Sequence, residues 1–125
     1  MTKQSALLAI SALAVVLLQT GCGGEKPLTY QANIKPILDA NCVKCHVPGG
    51  KGFNKTGLLL NSYDGLMKGT QFGPVVVPGS SVSSTLYRLV SGKADPSISM
   101  PHGMGPLPEA DVTTIATWID QGAKN

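Results

Sequence analysis

The residues best suited to chemistry lie together in one short motif, Cys42-Val43-Lys44-Cys45-His46. Two thiols separated by two residues, with an imidazole directly after the second, form the C-x-x-C-H pattern of c-type haem attachment. Each thiol can add across one vinyl group of the porphyrin, and the adjacent imidazole can then coordinate the iron from one face. The motif therefore predicts one covalently bound haem c, held by Cys42 and Cys45, with His46 as the proximal axial ligand.

The second axial ligand is expected from a loop rich in Pro and Gly near residue 100. Met100 is the best candidate, because such a loop can place a thioether against the far face of the porphyrin. Met104 and His102 are rivals in the same loop, and the usual role of a methionine is to fill gaps in a core. Met/His ligation would fill both axial positions and raise the reduction potential, which favours electron transfer over catalysis. A His102 ligand would instead give a lower potential.

Two other classes of function stay open at this point. A haem-based sensor or enzyme for small molecules would use the same motif but keep a labile distal ligand. A zinc or thiol-redox module would use Cys42, Cys45 and His46, with His102 as a further zinc ligand. A thioredoxin-like scaffold needs strands, which the pattern of apolar residues does not predict. Visible spectra of both redox states would separate the three hypotheses.

The N-terminus has the pattern of an export signal. Lys3 precedes a largely apolar stretch, residues 6–18, that is too short for an ordinary membrane-spanning helix. Cys22 directly follows Gly21, as in bacterial lipoprotein signals, although Gln19 stands where an aliphatic residue is usual. We therefore predict a signal peptide over residues 1–21 and a lipid on Cys22, with simple cleavage and release as the alternative. A lipid would anchor the protein to a membrane without spanning it.

The length and composition of the chain limit the remaining predictions. A chain of 125 residues has room for one domain, which we place over residues 30–125, after a flexible tether over residues 22–29. All three cysteines would be used, one for lipid and two for haem. The formal net charge is only +3, and no basic cluster indicates a nucleic-acid surface. The expected partners are redox proteins and, through the lipid on Cys22, a membrane at the periplasmic or cell-envelope face.

Helical spacing of apolar residues predicts an all-α domain of about four short helices. Capping residues and prolines place them near residues 34–41, 62–67, 80–90 and 108–121, and Val82 is expected on a buried face. Residues 47–56 and 94–107 are predicted loops. Loops of this length are unusual in a compact domain unless something holds them, and a haem would supply a surface for them to pack against.

Several short motifs resemble, in their order and spacing, those of small class I-type cytochromes c and, more closely, those of planctomycete cytochrome c domains. Beside the haem motif these are Ile34-Lys35-Pro36-Ile37-Leu38, Gly57-Leu58-Leu59-Leu60-Asn61-Ser62-Tyr63, Val76-Val77-Pro78-Gly79-Ser80, Ser84-Thr85-Leu86, Met100-Pro101 with Pro106-Leu107, and Ile115 with Trp118-Ile119 and Gly122-Ala123. The resemblance covers nearly all of the chain after residue 21. The sequence departs from the family pattern at His102, where Pro or Gly is more frequent.

The resemblance implies a few helices around one haem, with the N-terminal and C-terminal helices crossing. It also implies that Cys42 and Cys45 bind the haem and that His46 is the proximal ligand. Met100, marked by its Met-Pro pair, is then the distal ligand rather than Met104. The leading hypothesis is a monohaem c-type cytochrome that carries single electrons between respiratory partners in the cell envelope and is not itself an enzyme.

Overall fold

The computed structural model describes residues 25–125, so the predicted signal peptide and Cys22 lie outside the described residues. Over the described range the chain forms helices and no sheet, which confirms the predicted all-α class. The helices are α1 (Lys35–Asn41), α2 (Lys51–Thr56), α3 (Tyr63–Lys68), α4 (Thr85–Val90) and α5 (Glu109–Asp120). None of the helices in this range is long and apolar enough to cross a membrane.

A π-helical turn, Tyr30–Ile34, leads directly into α1. The turn begins at Thr29, whose hydroxyl accepts a hydrogen bond from the Ala32 amide at 3.3 Å. Pro36 lies in the first turn of α1, where the amide proton that proline lacks would have no helical partner. The predicted position of Pro36 is therefore confirmed, and helical structure starts slightly earlier than predicted, at Tyr30.

The core lies where the two ends of the domain meet. Trp118 in α5 is fully buried, and its ring centre is 6.4 Å from that of Tyr30. Trp118 Nε1 and the Tyr30 amide both donate to the Lys124 carbonyl, at 2.7 and 2.9 Å. The amide of Leu28, in the predicted tether, donates to Oε1 of Gln121 at 2.7 Å, so contacts with the domain already begin there. The first and last helical segments thus pack together, as the resemblance implies.

Helix α3 has local signals at both of its ends. The Ser62 hydroxyl accepts a hydrogen bond from the Gly65 amide at 3.1 Å, which caps the first turn. Gly69 ends the helix with a φ of 79°, in the left-handed region that favours glycine. The Tyr63 hydroxyl donates to the Ala123 carbonyl at 2.9 Å and so ties α3 to the segment that follows α5. Both ends of α3 lie within about one residue of their predicted positions.

We expect Ser62→Ala to lower the free energy of unfolding by about 1 kcal/mol, because the Gly65 amide loses its capping acceptor. Denaturant titration followed by circular dichroism measures the change. Ser83→Ala is the matched control, since Ser83 is exposed and its only side-chain hydrogen bond is with Ser80. Equal losses of stability in the two variants would contradict the capping role.

The predicted loop over residues 47–56 is wrong in its second half, which forms α2 and raises the number of α-helices within residues 25–125 to five. A helix of six residues has little stability of its own. It is held by contacts with the haem motif, including a hydrogen bond of 2.9 Å from the Phe53 amide to the Cys45 carbonyl. Gly57 then ends it with a φ of 74°. The composition of this segment favoured a loop, because composition carries no information about contacts with the haem motif.

The prediction that Val82 is buried is also wrong, since its side chain is 72% exposed. Helix α4 begins only at Thr85. The preceding Ser84 hydroxyl accepts from the Val77 amide at 2.8 Å and donates to the Ser80 carbonyl at 2.9 Å. These bonds hold the preceding segment in a turn, because a serine side chain that bonds to nearby backbone groups competes with helix formation. Val82 therefore has no helical face on which to be buried.

Candidate haem-binding site

The haem motif forms a turn that continues α1. The Cys42 amide donates to the Leu38 carbonyl at 2.8 Å, and the His46 amide donates to the Cys42 carbonyl at 3.1 Å. Both thiols and the imidazole are thereby carried on one compact turn, with Cys42 half-buried and Cys45 exposed. The helix predicted ahead of the motif is present and sets the position of this turn.

The surroundings of the two thiols do not favour thiol-redox chemistry. Burial, and to a smaller extent the charge of the nearby Cys45, raises the pKa of the Cys42 thiol to about 11. Cysteines that act as redox nucleophiles depend on a lowered pKa, because the thiolate is the reactive form. Cys42 is instead protonated at neutral pH. The Cys45 amide donates to the Cys42 carbonyl at 3.1 Å, so both cysteines lie on the same turn, as attachment to a single group requires.

His46 is only 8% exposed, and its two ring nitrogens have different surroundings. Nδ1 is fully buried and has no hydrogen-bond partner in the described part of the chain. Nε2 does not combine full burial with the lack of a partner. Burial lowers the pKa of His46, and the nearby backbone of Leu58 only partly opposes this effect. The imidazole is therefore neutral at neutral pH, which is the form that binds metal ions.

Helix α2 and the segment after it enclose the motif. A Cβ atom built on Gly52 would lie 2.6 Å from Cε1 of the His46 ring, so α2 packs directly against the imidazole. The Leu60 amide donates to the His46 carbonyl at 2.9 Å, and the side chains of Leu58 and Leu60 are buried beside it. The composition of residues 51–56 did not indicate that they form a helix at the site. A basic residue in its last turn followed by Gly57 was the signal for a helix end at this position.

The three candidates for the distal ligand differ in burial. Met100 is half-buried and packed against the hydrophobic core, and its amide donates to the Leu89 carbonyl at 3.0 Å. Met104 is 57% exposed, and His102 is exposed. A ligand that reaches a haem face has to point towards the interior of the fold, and Met100 is the candidate that does so. The geometry of these residues therefore ranks Met100 first.

The residues present fit a haem c. The turn supplies two neighbouring thiols for the vinyl groups, and the buried imidazole has a nitrogen, Nδ1, that lacks a hydrogen-bond partner in the described part of the chain. Imidazole and thioether are both established ligands of haem iron. Zinc fits less well, because a structural site needs four such ligands. Within residues 25–125 no group of three or more His, Cys, Asp and Glu side chains is placed to hold a metal ion.

Comparison with known proteins supports the same cofactor. The model of the family described as Planctomycete cytochrome C matches residues 42–102, a range that contains the haem motif and all three distal candidates. No curated protein and no solved structure matches the chain significantly. A cytochrome c domain implies a haem of the c type. The resemblance to the planctomycete cytochrome c family is therefore confirmed over residues 42–102, just under half of the chain.

Proposed function

We propose that this protein is a monohaem c-type cytochrome that carries single electrons between respiratory partner proteins in the cell envelope. The observation that carries the proposal is the turn Cys42-Val43-Lys44-Cys45-His46, with two neighbouring thiols and a buried imidazole whose Nδ1 lacks a hydrogen-bond partner in the described residues. The turn lies within the segment that matches the cytochrome family.

Each residue of the site has a defined role in this proposal. Cys42 and Cys45 hold the porphyrin covalently, His46 is the proximal ligand and Met100 is the distal ligand. A bound haem supplies the exchange of one electron between its ferrous and ferric states. With both axial positions filled by the protein, no position is left for oxygen or peroxide, so the protein acts as a carrier and not as an enzyme. The buried leucines beside His46 exclude water from the proximal side.

The proposed location follows from the residues ahead of the domain. A signal peptide over residues 1–21 would direct export, and a lipid on Cys22 would anchor the protein at the periplasmic or cell-envelope face of a membrane. Near the haem motif, Lys44, Lys51 and Lys55 are exposed, and residues 40–63 contain no acidic side chain. This local positive charge favours a redox partner with an acidic surface, because charge complementarity speeds the encounter of two proteins.

We expect Met100→Ala to lower the reduction potential, because loss of the thioether removes the ligand that raises it. The ferric spectrum should also change, and the reduced variant should bind carbon monoxide at the opened position. Visible spectroscopy and redox titration of protein produced with haem-attachment machinery measure these effects. Met104→Ala and His102→Ala are the controls and should match the wild type, since both side chains are exposed.

Three results would contradict parts of this proposal, each in a different way. Wild-type protein without covalent haem would overturn the assignment as a cytochrome. An unchanged spectrum in Met100→Ala would remove Met100 as the distal ligand but leave the carrier function. Binding of carbon monoxide by the reduced wild type would show a labile distal position and would favour the sensor or enzyme hypothesis.

A further inference from the structure

Gly52 lies in the first turn of α2, directly against the ring of His46. A Cβ atom built on Gly52 would lie 2.6 Å from Cε1, 2.7 Å from Nε2 and 2.9 Å from Nδ1. Because the Cβ would be almost equally far from all three atoms, it would lie over the face of the imidazole at its nitrogen-bearing end. Separations of this size are shorter than carbon atoms and ring atoms tolerate without a shift. Any side chain at residue 52 would therefore collide with the face of the His46 ring.

The backbone on both sides of this contact is fixed. The Phe53 amide donates to the Cys45 carbonyl at 2.9 Å, and the Leu60 amide donates to the His46 carbonyl at 2.9 Å. Gly50 is also tightly packed, since a Cβ there would lie 2.4 Å from the Cys45 carbonyl oxygen. Helix α2 thus cannot easily withdraw from the motif. The collision would be relieved by a movement of the imidazole.

Backbone conformation does not explain the glycine at residue 52. Gly57 and Gly69 have φ values of 74° and 79°, which other residues rarely adopt. Gly52 lies inside a helix, and its φ is not in this left-handed range. Alanine is intrinsically a better helix former than glycine. The absence of a side chain at Gly52 is therefore required by its contact with His46 and not by the fold of α2.

We infer that Gly52 is a positioning residue for the haem ligand His46. By lacking a side chain it lets α2 pack directly on the face of the imidazole and fix the angle of the ring. The inference rests on the proposed role of His46 as an iron ligand. In this role Gly52 influences iron coordination without being an axial ligand itself.

The test compares Gly52→Ala with Gly65→Ala in the full-length protein, produced with haem-attachment machinery. Gly65 is a close match, because it also lies in a six-residue helix and its added Cβ would also collide, at 2.7 Å with the Leu59 carbonyl oxygen and 2.9 Å with Ser62 Oγ. These neighbours do not include His46. Covalent haem content, the visible and paramagnetic-resonance spectra of the ferric protein, the reduction potential and thermal unfolding are measured for each.

We expect both variants to unfold at lower temperature than the wild type, and Gly52→Ala alone to change the ferric spectrum. Its reduction potential should shift upward, because a displaced imidazole donates less well to ferric iron and stabilises it less. Loss of covalent haem confined to Gly52→Ala would also support the inference, since it would show that the ring no longer accepts the iron.

Two results would overturn the inference. One is a haem-loaded Gly52→Ala protein with the spectrum and potential of the wild type. The other is an equal change, or an equal loss of haem, in Gly52→Ala and Gly65→Ala, which would show a general packing role. Absence of covalent haem from the wild type is a distinct result, because it overturns the proposed function itself.

Discussion

Replacement of both motif thiols, in Cys42→Ala/Cys45→Ala, is expected to abolish covalent attachment of haem completely. Each thioether bond needs one sulfur, and the described residues contain no other cysteine. The measurement is haem absorbance that stays with the polypeptide after denaturation and extraction with acidified solvent. Because the haem is also the surface against which the long loops are expected to pack, the variant should unfold at a lower temperature or fail to accumulate.

Single replacements and a distant cysteine provide the controls for this result. Cys42→Ala and Cys45→Ala should each keep one thioether bond and hold less haem than the wild type. Cys22→Ala should keep full haem content, because the proposed role of Cys22 is lipid attachment. Haem that remains covalently bound in the double variant would contradict the assignment of the motif.

The second large effect is expected from Trp118→Ala, which should lower the free energy of unfolding by about 3–5 kcal/mol. Trp118 is fully buried, packs at 6.4 Å from Tyr30 and donates from Nε1 to the Lys124 carbonyl at 2.7 Å. Truncation would leave a cavity between the first and last helical segments and would remove one of the two donors to the Lys124 carbonyl. For a domain of this size such a loss is a large part of the total stability.

Denaturant titration of the haem-loaded protein measures the effect of Trp118→Ala, with Val82→Ala as the control. Val82 is 72% exposed, so its truncation should change the free energy of unfolding by less than about 0.5 kcal/mol. A similar loss in both variants would mean that Val82 is buried after all. A loss below about 1 kcal/mol in Trp118→Ala would contradict the central position of the tryptophan in the core.

The parts of the site that the sequence predicted are those encoded over a few adjacent residues. The haem motif is such a pattern, because two thiols and an imidazole within five residues need little more than one turn to come together. The cap at Ser62 and the stop at Gly69 are likewise local, and the structure has both. Pro108 was expected at the first position of the last helix and lies one residue before it, because α5 begins at Glu109.

The parts that could not be predicted depend on contacts between distant residues. Helix α2 forms where its amides and glycines meet Cys45 and His46, and a run rich in Gly and Lys does not reveal those contacts. The exposure of Val82 depends on which backbone groups the Ser84 hydroxyl binds. The residues alone left the choice between Met100, His102 and Met104 open for the same reason. The family resemblance favoured Met100 through its Met-Pro pair, and Met100 is also the most buried of the three in the folded chain.

The hydrogen bond between the Tyr30 amide and the Lys124 carbonyl has a consequence for how such a domain can be joined to other chains. Because its entry and exit points lie side by side, a host polypeptide could carry it within a surface loop without being stretched. A tether at either end of the domain would therefore leave it at nearly the same place on its surface.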